Sequence, residues 1–447
     1  MQRPNIDLDT AVADIESRYI AANPKSRERF ESARGVMPGG NTRTTLHYDP
    51  FPVTLVRGEG ARLHDLDGHE YIDLIGEYTA GLYGHSEPAI IAAIKEALEC
   101  GLVLGGPNLY EARLAELMCQ RFPAVEQIRF CNSGTEANMM NLCLSRVVTK
   151  RAAIMAFNGG YHGGVLAFAG GGSPINAPFE TVIGSYNDVD ATRDLMAQNA
   201  GRLAAVIVEP MTGAGGCIEA SLEFLTMLRE ETARHGIVLI FDEVMTSRLA
   251  PGGLHEATGV MPDLVSFGKY LGGGVSFGAF GGRADLMAAL DPTSPTGLPH
   301  SGTYNNNVLT MAAGIAGLEQ VYTPDAVVRL NRAGDRLRQD LQGIADAVDV
   351  PLTVCGRGSM LCIHFLRGPI RNPVEATKAS AAARKLFHLD MNLRGFYMAR
   401  RGFMALCLPL TDADYAAFRS AFEDFLAENR ATVIAAIEGA AGGHRSD

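Results

Sequence analysis

Gly236-Ile237-Val238-Leu239-Ile240-Phe241 is an unbroken apolar run that ends in Asp242-Glu243-Val244. A strand exposed on one face alternates apolar and polar residues. A strand covered on both faces by helices is apolar throughout, and that is the habit of parallel sheets. Ala153-Ile154-Met155-Ala156-Phe157 and Ala204-Ala205-Val206-Ile207-Val208 have the same character. Gln127-Ile128-Arg129-Phe130-Cys131 reads as a further strand, and Pro88 to Cys100 and Tyr110 to Phe122 read as helices. From residue 86 to about 330 strands and helices alternate, which predicts an α/β fold with a largely parallel sheet. Such sheets place ligand chemistry at the carboxyl ends of their strands. Asp242 stands at one such end and Glu209 at another.

Outward from Asp242, the next apolar run is Leu264-Val265-Ser266-Phe267-Gly268, followed by Lys269-Tyr270-Leu271-Gly272-Gly273-Gly274. Lysine is scarce in this chain, and Lys25, Lys95, Lys150, Lys378 and Lys385 all lie in polar or helical contexts. A lysine between an apolar run and glycines either snorkels at a helix start or is held where burial lowers its pKa. In the second case the free amine attacks carbonyls and forms Schiff bases. An aspartate that pairs with a protonated pyridine nitrogen, together with a Schiff-base lysine, is what a protein contributes to pyridoxal phosphate (PLP) chemistry.

Anion binding has its own candidate. The strand 127–131 runs into Asn132-Ser133-Gly134-Thr135-Glu136-Ala137-Asn138 and then a helical pattern to Lys150. Free N–H groups, two hydroxyls and a helix N-terminus make an anion site, although serine and asparagine also favour ordinary N-caps. Asn158-Gly159-Gly160-Tyr161-His162-Gly163-Gly164 is read as a loop with Tyr161 and His162 exposed, where a flat ring could stack on a cofactor. Glu77-Tyr78-Thr79-Ala80-Gly81-Leu82-Tyr83-Gly84-His85 suits a loop lining a pocket. His300-Ser301-Gly302-Thr303-Tyr304-Asn305-Asn306-Asn307 is a polar cluster whose hydroxyls could serve a phosphate. Gly213-Ala214-Gly215-Gly216 lacks the third glycine and the strand that a dinucleotide fingerprint needs, which argues against NAD.

Either side of this region the pattern changes. Residues 9 to 34 read as helical, and the turn-rich Met37-Pro38-Gly39-Gly40-Asn41-Thr42-Arg43 follows, its arginine a surface charge on this reading alone. Thr54 to Gly58, Ala61 to Asp65 and Tyr71 to Leu74 read as strands, with Asp67-Gly68 as a hairpin turn. Thr323-Pro324-Asp325 opens an arginine-rich helix, and strands at Gly358 to Phe365 and Gly402 to Leu408 precede terminal helices after Thr411. The expected division is 1–75 as the N-terminal part of a small α+β domain, 76–325 as a large cofactor-binding domain, and 326–447 as the rest of the small domain. The tail from Gly442 is expected to fray.

Composition narrows the class. The chain has 447 residues, of which 47% are hydrophobic and 20% charged, enough for two domains with a sizeable core. A net charge of −11 argues against nucleic acid or an anionic membrane surface as partner. The eight cysteines show no C-x-x-C and no zinc spacing, so no metal site is expected and they read as reduced thiols of a cytoplasmic protein. The first residues do not resemble a signal peptide, and no apolar run reaches membrane-spanning length.

Taken together, the N-S-G-T-E-A-N turn, the G-G-Y-H-G loop, the strand-end D-E-V, the G-K-Y-L-G-G-G lysine and the H-S-G-T-Y-N-N-N segment resemble the class III aminotransferases of PLP fold type I, over roughly residues 20 to 440. Met37-Pro38-Gly39-Gly40-Asn41 is similar to glutamate-1-semialdehyde aminomutases. The runs Glu77 to Pro88, Asp242 to Pro251, Ser276 to Arg283 and Arg401-Gly402-Phe403 look more like β-phenylalanine aminotransferases. Thr212 departs from the family, whose members often carry glutamine or a longer side chain there. The resemblance implies that Lys269 holds PLP and shuttles the substrate proton, and that Asp242 keeps the pyridine nitrogen protonated. Tyr161 and Val244 cover the two ring faces, and Glu209 is counted among the cofactor contacts. Ser133, Gly134 and Thr135 bind the phosphate, with Thr303 reaching it across a homodimer interface. Arg43 and Arg401, with Tyr78, bind substrate, which reverses the surface reading of Arg43. The implied reaction moves the amino group of a β-amino acid, an aromatic one resembling β-phenylalanine, to 2-oxoglutarate by a ping-pong mechanism. An intramolecular aminomutase is the alternative. A non-catalytic PLP-fold regulator is disfavoured by the intact Lys269 and Asp242.

Overall fold

A computed structural model describes residues 7–442. The tail expected to fray lies, from Gly443 on, outside the described residues.

The strand Val238–Asp242 is buried at all five positions. Leu239 and Phe241 point into one apolar cluster with Phe224, Leu225 and Leu228 of the helix Leu222–His235. Val238 and Ile240 point the other way, into a cluster with Ala137, Leu142 and Leu144 of the helix Gly134–Thr149. Successive side chains of a strand face opposite sides, so a helix on each face demands apolar residues at both parities. Each such side chain contributes about 1.5–3 kcal/mol on burial.

Around this strand stands a seven-stranded sheet in the order Gln127–Cys131, Gly278–Gly282, Leu264–Gly268, Val238–Asp242, Leu203–Val208, Ala153–Phe157, Glu180–Gly184. The last five strands of that order are mutually parallel. Gly278–Gly282 runs against both of its neighbours. The largely parallel expectation therefore holds with one reversed strand.

A second sheet joins Leu55–Glu59, Arg62–Asp65 and Glu70–Asp73 as an antiparallel meander. Phe396–Tyr397 then adds to it in parallel. A third, antiparallel sheet holds Thr353–Arg357, Met360–His364 and Phe403–Ala405. The helix expected over 9–34 is two helices, Leu8–Ala22 and Pro24–Ala33. Pro24 cannot donate its backbone nitrogen to the first helix, and its fixed φ starts the second. Beyond Thr411 a single helix, Asp412–Gly442, replaces the several expected. All eight cysteines are free. Among the described residues no helix is long and apolar enough to cross a membrane, and no group of His, Cys, Asp or Glu is arranged to hold a metal.

Candidate active site

Asp242 closes its strand and is 4% exposed. Its Oδ2 accepts from Asn138 Nδ2 at 2.8 Å and lies 2.8 Å from His162 Nδ1, while Oδ1 accepts from the Val244 N–H at 3.1 Å. An ionised carboxylate offers about four acceptor positions, so these three partners leave room for one more donor. Beside a carboxylate the His162 Nδ1 carries the proton and donates it. The Asn138 amide also donates to the His162 carbonyl at 2.9 Å, which fixes the loop bearing the histidine. His162 is 2% exposed, so its expected exposure is corrected. The buried carboxylate draws the ring inward, and the adjacent Tyr161 bridges to Ala167.

Leu264–Gly268 is the next strand, and Ser266 lies in register opposite Asp242. Lys269 therefore leaves the sheet one short step beyond the carboxylate. Its φ is 58°, left-handed for a residue with a Cβ, which costs on the order of 1–3 kcal/mol and persists only where packing enforces it. Burial lowers the pKa of its amine; Glu77 opposes that, Arg43 adds to it, and Asp242 and Arg401 act more weakly in opposite senses. Burial of this kind favours the uncharged, nucleophilic form of an amine.

Gly134 and Gly268 both adjoin Val244. A Cβ on Gly134 would stand 2.8 Å from Val244 Cγ2, too close to be tolerated. Ser133 is the N-cap of Gly134–Thr149, its hydroxyl accepting from the Glu136 N–H at 3.2 Å. The ordinary capping role is thus real, and it leaves the first N–H groups of the helix turned toward the strand ends. Thr135 Oγ1 accepts from the Gly164 N–H at 3.3 Å, tying this turn to the loop after Tyr161. Tyr161 is 45% exposed. Its N–H donates to Glu209 Oε1 at 3.0 Å, and the Gly213 N–H donates to Oε2 at 2.8 Å. Burial pushes the Glu209 carboxyl up to about 7, with His162 opposing and Asp242 adding repulsion. Thr303 is exposed and makes no hydrogen bond with Ser133, Gly134 or Thr135 among the described residues. Asn305, nearby, accepts from Asn132 Nδ2 at 3.0 Å.

The opposite wall comes from the outer sheets. Glu77, Tyr78 and Thr79 have φ of 44°, 53° and 84°, three successive left-handed residues with side chains. This turn touches both candidate arginines. Arg43 Nη2 pairs with Glu77 Oε1 at 2.6 Å. Tyr78 stacks on Phe403, with centroids 5.9 Å apart, and donates its hydroxyl to the Thr45 carbonyl at 3.0 Å. The Arg401 guanidinium lies 5.2 Å over the Tyr78 ring and 5.0 Å from that of Phe403, and its Nε is buried without a partner. Arg400 is paired with Asp49, at 3.1 Å. Below Arg43 a cavity of about 370 Å³ is lined by Phe30, Tyr48, Tyr397 and Met398.

Lys269, Asp242, Val244, Ser133, Gly134, Thr135, Tyr161 and Glu209 thus gather at neighbouring strand ends, the Glu77–Tyr78 turn brings Arg43 and Arg401 together, and Thr303 makes no hydrogen bond to the phosphate turn. The sequence reading missed Asn138 as a hydrogen-bond partner of Asp242, although it closes the N-S-G-T-E-A-N turn. It also missed the buried pair of Glu243 Oε1 and His255 Nδ1, 2.5 Å apart, which anchors the chain after Asp242. The polar cradle, the spare acceptor on Asp242 and the buried lysine fit PLP.

The aminotransferase class-III family profile matches residues 44–386. A β-phenylalanine transaminase from Variovorax paradoxus is 48% identical over 94% of this chain and 96% of its own. The crystal structure of a β-phenylalanine aminotransferase from the same organism superposes with a TM-score of 0.94, covering 95% of this chain and 98% of the other at 47% identity. A glutamate-1-semialdehyde 2,1-aminomutase from Desulforudis audaxviator is 36% identical over 87% of this chain and 94% of its own. A transaminase solved with PLP bound has a TM-score of 0.85 at 30% identity, covering 93% of this chain and 99% of the other. The chain belongs to the class-III aminotransferases, and it is a PLP-dependent transaminase of the type I fold.

Proposed function

We propose that this enzyme transfers the amino group of a β-amino acid, one with an aromatic side chain, to 2-oxoglutarate by a ping-pong mechanism. The observation that carries the proposal is the pair of arginines, Arg43 held by Glu77 and Arg401 over the Tyr78 ring, whose charges both reach the Lys269 amine. 2-Oxoglutarate has two carboxylates and needs two cations. An aromatic β-amino acid has one carboxylate and a ring, and the cavity lined by Phe30, Tyr48 and Tyr397 suits the ring. The 48% identity to a β-phenylalanine transaminase supports the same substrate class.

PLP, when bound, supplies an electron sink for the carbon that bears the amine. Lys269 would hold it and then move the proton from that carbon with its uncharged amine. Asp242, oriented by Asn138 and His162, would accept the pyridine N–H. Val244 would cover one ring face and Tyr161 the other, with the Tyr161 backbone held by Glu209. Ser133, Gly134 and Thr135 would take the phosphate. Thr303, exposed and without a hydrogen bond to its own phosphate turn, would serve that of a second subunit, and so we propose a homodimer. Arg43 and Arg401 would bind carboxylates through two-point contacts, and Tyr78 would form the platform between them.

We further propose that residues 1–75 and 326–447 form one small domain beside 76–325. Support comes from the pairing of Phe396–Tyr397 with Glu70–Asp73. The free cysteines favour a cytoplasmic location. A panel of β-, α- and ω-amine donors with 2-oxoglutarate, read as glutamate formed, tests the proposal. Glutamate from aromatic β-amino acids is expected. Isomerisation of an amino aldehyde without any acceptor would install the aminomutase reading instead.

A further inference from the structure

Beyond Arg401 lies a second cavity, of about 300 Å³, lined by Thr45, Tyr78, Arg384, Arg400 and Arg401 among others, and none of its lining residues is acidic. Arg400 has Asp49 as counter-ion. Arg384 and Arg401 have no carboxylate partner among the described residues. Arg384 is half-buried, and its Nη2 donates only to the Ala379 carbonyl, at 3.3 Å. Burial disfavours its charged form, the Cys362 thiol opposes that, and neighbouring Arg400 adds repulsion. Arg384 also stands in the first turn of the helix Ala381–Leu393, where the helix dipole disfavours a cation. A charge placed against burial, a like charge and a dipole is costly unless an anion completes the site.

The cavity continues the candidate active site, because Tyr78 and Arg401 belong to both. Arg401 enters it from the rings of Tyr78 and Phe403, and Arg384 from the helix Ala381–Leu393. We propose that Arg384 and Arg401 form a carboxylate subsite that takes the distal carboxylate of a dicarboxylic 2-oxo acid. This inference rests on the reading of Arg401 as a carboxylate-binding residue and adds a specificity residue to it. The first cavity discriminates by ring and single carboxylate, and the second discriminates dicarboxylate from monocarboxylate acceptors.

The test is equilibrium binding, by calorimetry, of glutarate and of butyrate to the PLP-loaded enzyme and its Arg384→Met variant. Losing hydrogen bonds to a charged group is expected to weaken glutarate binding about ten- to a hundredfold while butyrate binding is unchanged. Unchanged butyrate binding also reports an intact fold. Arg384→Lys, which keeps a point charge without the planar fork, is expected to lose less, and it serves if the methionine variant does not fold. Parallel weakening of both ligands, or no change in either, would overturn the inference. Neither ligand turns over, so failure here is separate from failure of the aminotransferase reading, which the donor panel decides.

Discussion

The two walls of the pocket are built in opposite ways. On the sheet side Asp242, His162 and Asn138 are almost fully buried and bonded to one another, and Lys269 leaves the neighbouring strand beside them. On the arginine side Arg43 and Glu77 are about half exposed, Arg401 rests on two aromatic rings without an acid, and the turn joining them is left-handed at three residues. Reaction chemistry needs fixed distances, and buried, mutually satisfied groups supply them. Accommodating two different substrates in turn needs contacts that can be exchanged. A half-exposed ion pair is worth only about 0–1 kcal/mol and yields readily to an incoming carboxylate.

This contrast breaks first at Lys269. Lys269→Ala is expected to abolish turnover while PLP still binds noncovalently; near-normal transamination would refute the role. Asp242→Asn comes next. It strips the charge that the ring nitrogen would meet, at a cost of about 3–5 kcal/mol, so rates should fall roughly a hundred- to several-thousandfold. An unchanged rate with full cofactor content would move the role to another carboxylate.

Changes on the arginine side should act by substrate. Arg43→Ala is expected to slow both half-reactions, because each substrate brings at least one carboxylate. The smallest change concerns Glu77, which holds Arg43 in the free pocket. Glu77→Gln releases that arginine, so KM for carboxylate substrates is expected to fall by up to about fivefold, the worth of an exposed pair. Steady-state kinetics measures this directly, and a raised KM would mean that Glu77 positions Arg43 for substrate.

The two walls also differed in how far the sequence disclosed them. Ala153–Phe157 begins and ends where its apolar pattern does, because burial on both faces dictates composition. Gly278–Gly282 is mostly glycine and alanine with no strand signature, so its place between Gln127–Cys131 and Leu264–Gly268 was not legible. Thr353–Arg357 was hidden in the same way, by its short mixed pattern. On the sheet side the site follows from strand ends, and Asp242 and Lys269 stood out. His162 did not, since its burial depends on a carboxylate eighty residues away in the chain. On the arginine side little was legible. The Glu77–Arg43 contact depends on a left-handed turn that no residue in Glu77-Tyr78-Thr79 advertises, and Arg384 and Arg401 line one cavity only through tertiary packing.

The division of labour between the walls is tested most directly by rapid-mixing half-reactions of Arg401→Ala, followed by the visible absorbance of the bound cofactor. An aromatic β-amino acid serves for the first half and 2-oxoglutarate for the return. A lost two-point charged contact costs about 2–5 kcal/mol, so the return step is expected to slow by tens- to thousandsfold, with the first half much less affected. Equal slowing of both halves, or a selective loss in Arg400→Ala with Arg401→Ala unaffected, would contradict the assignment of Arg401 to the second carboxylate.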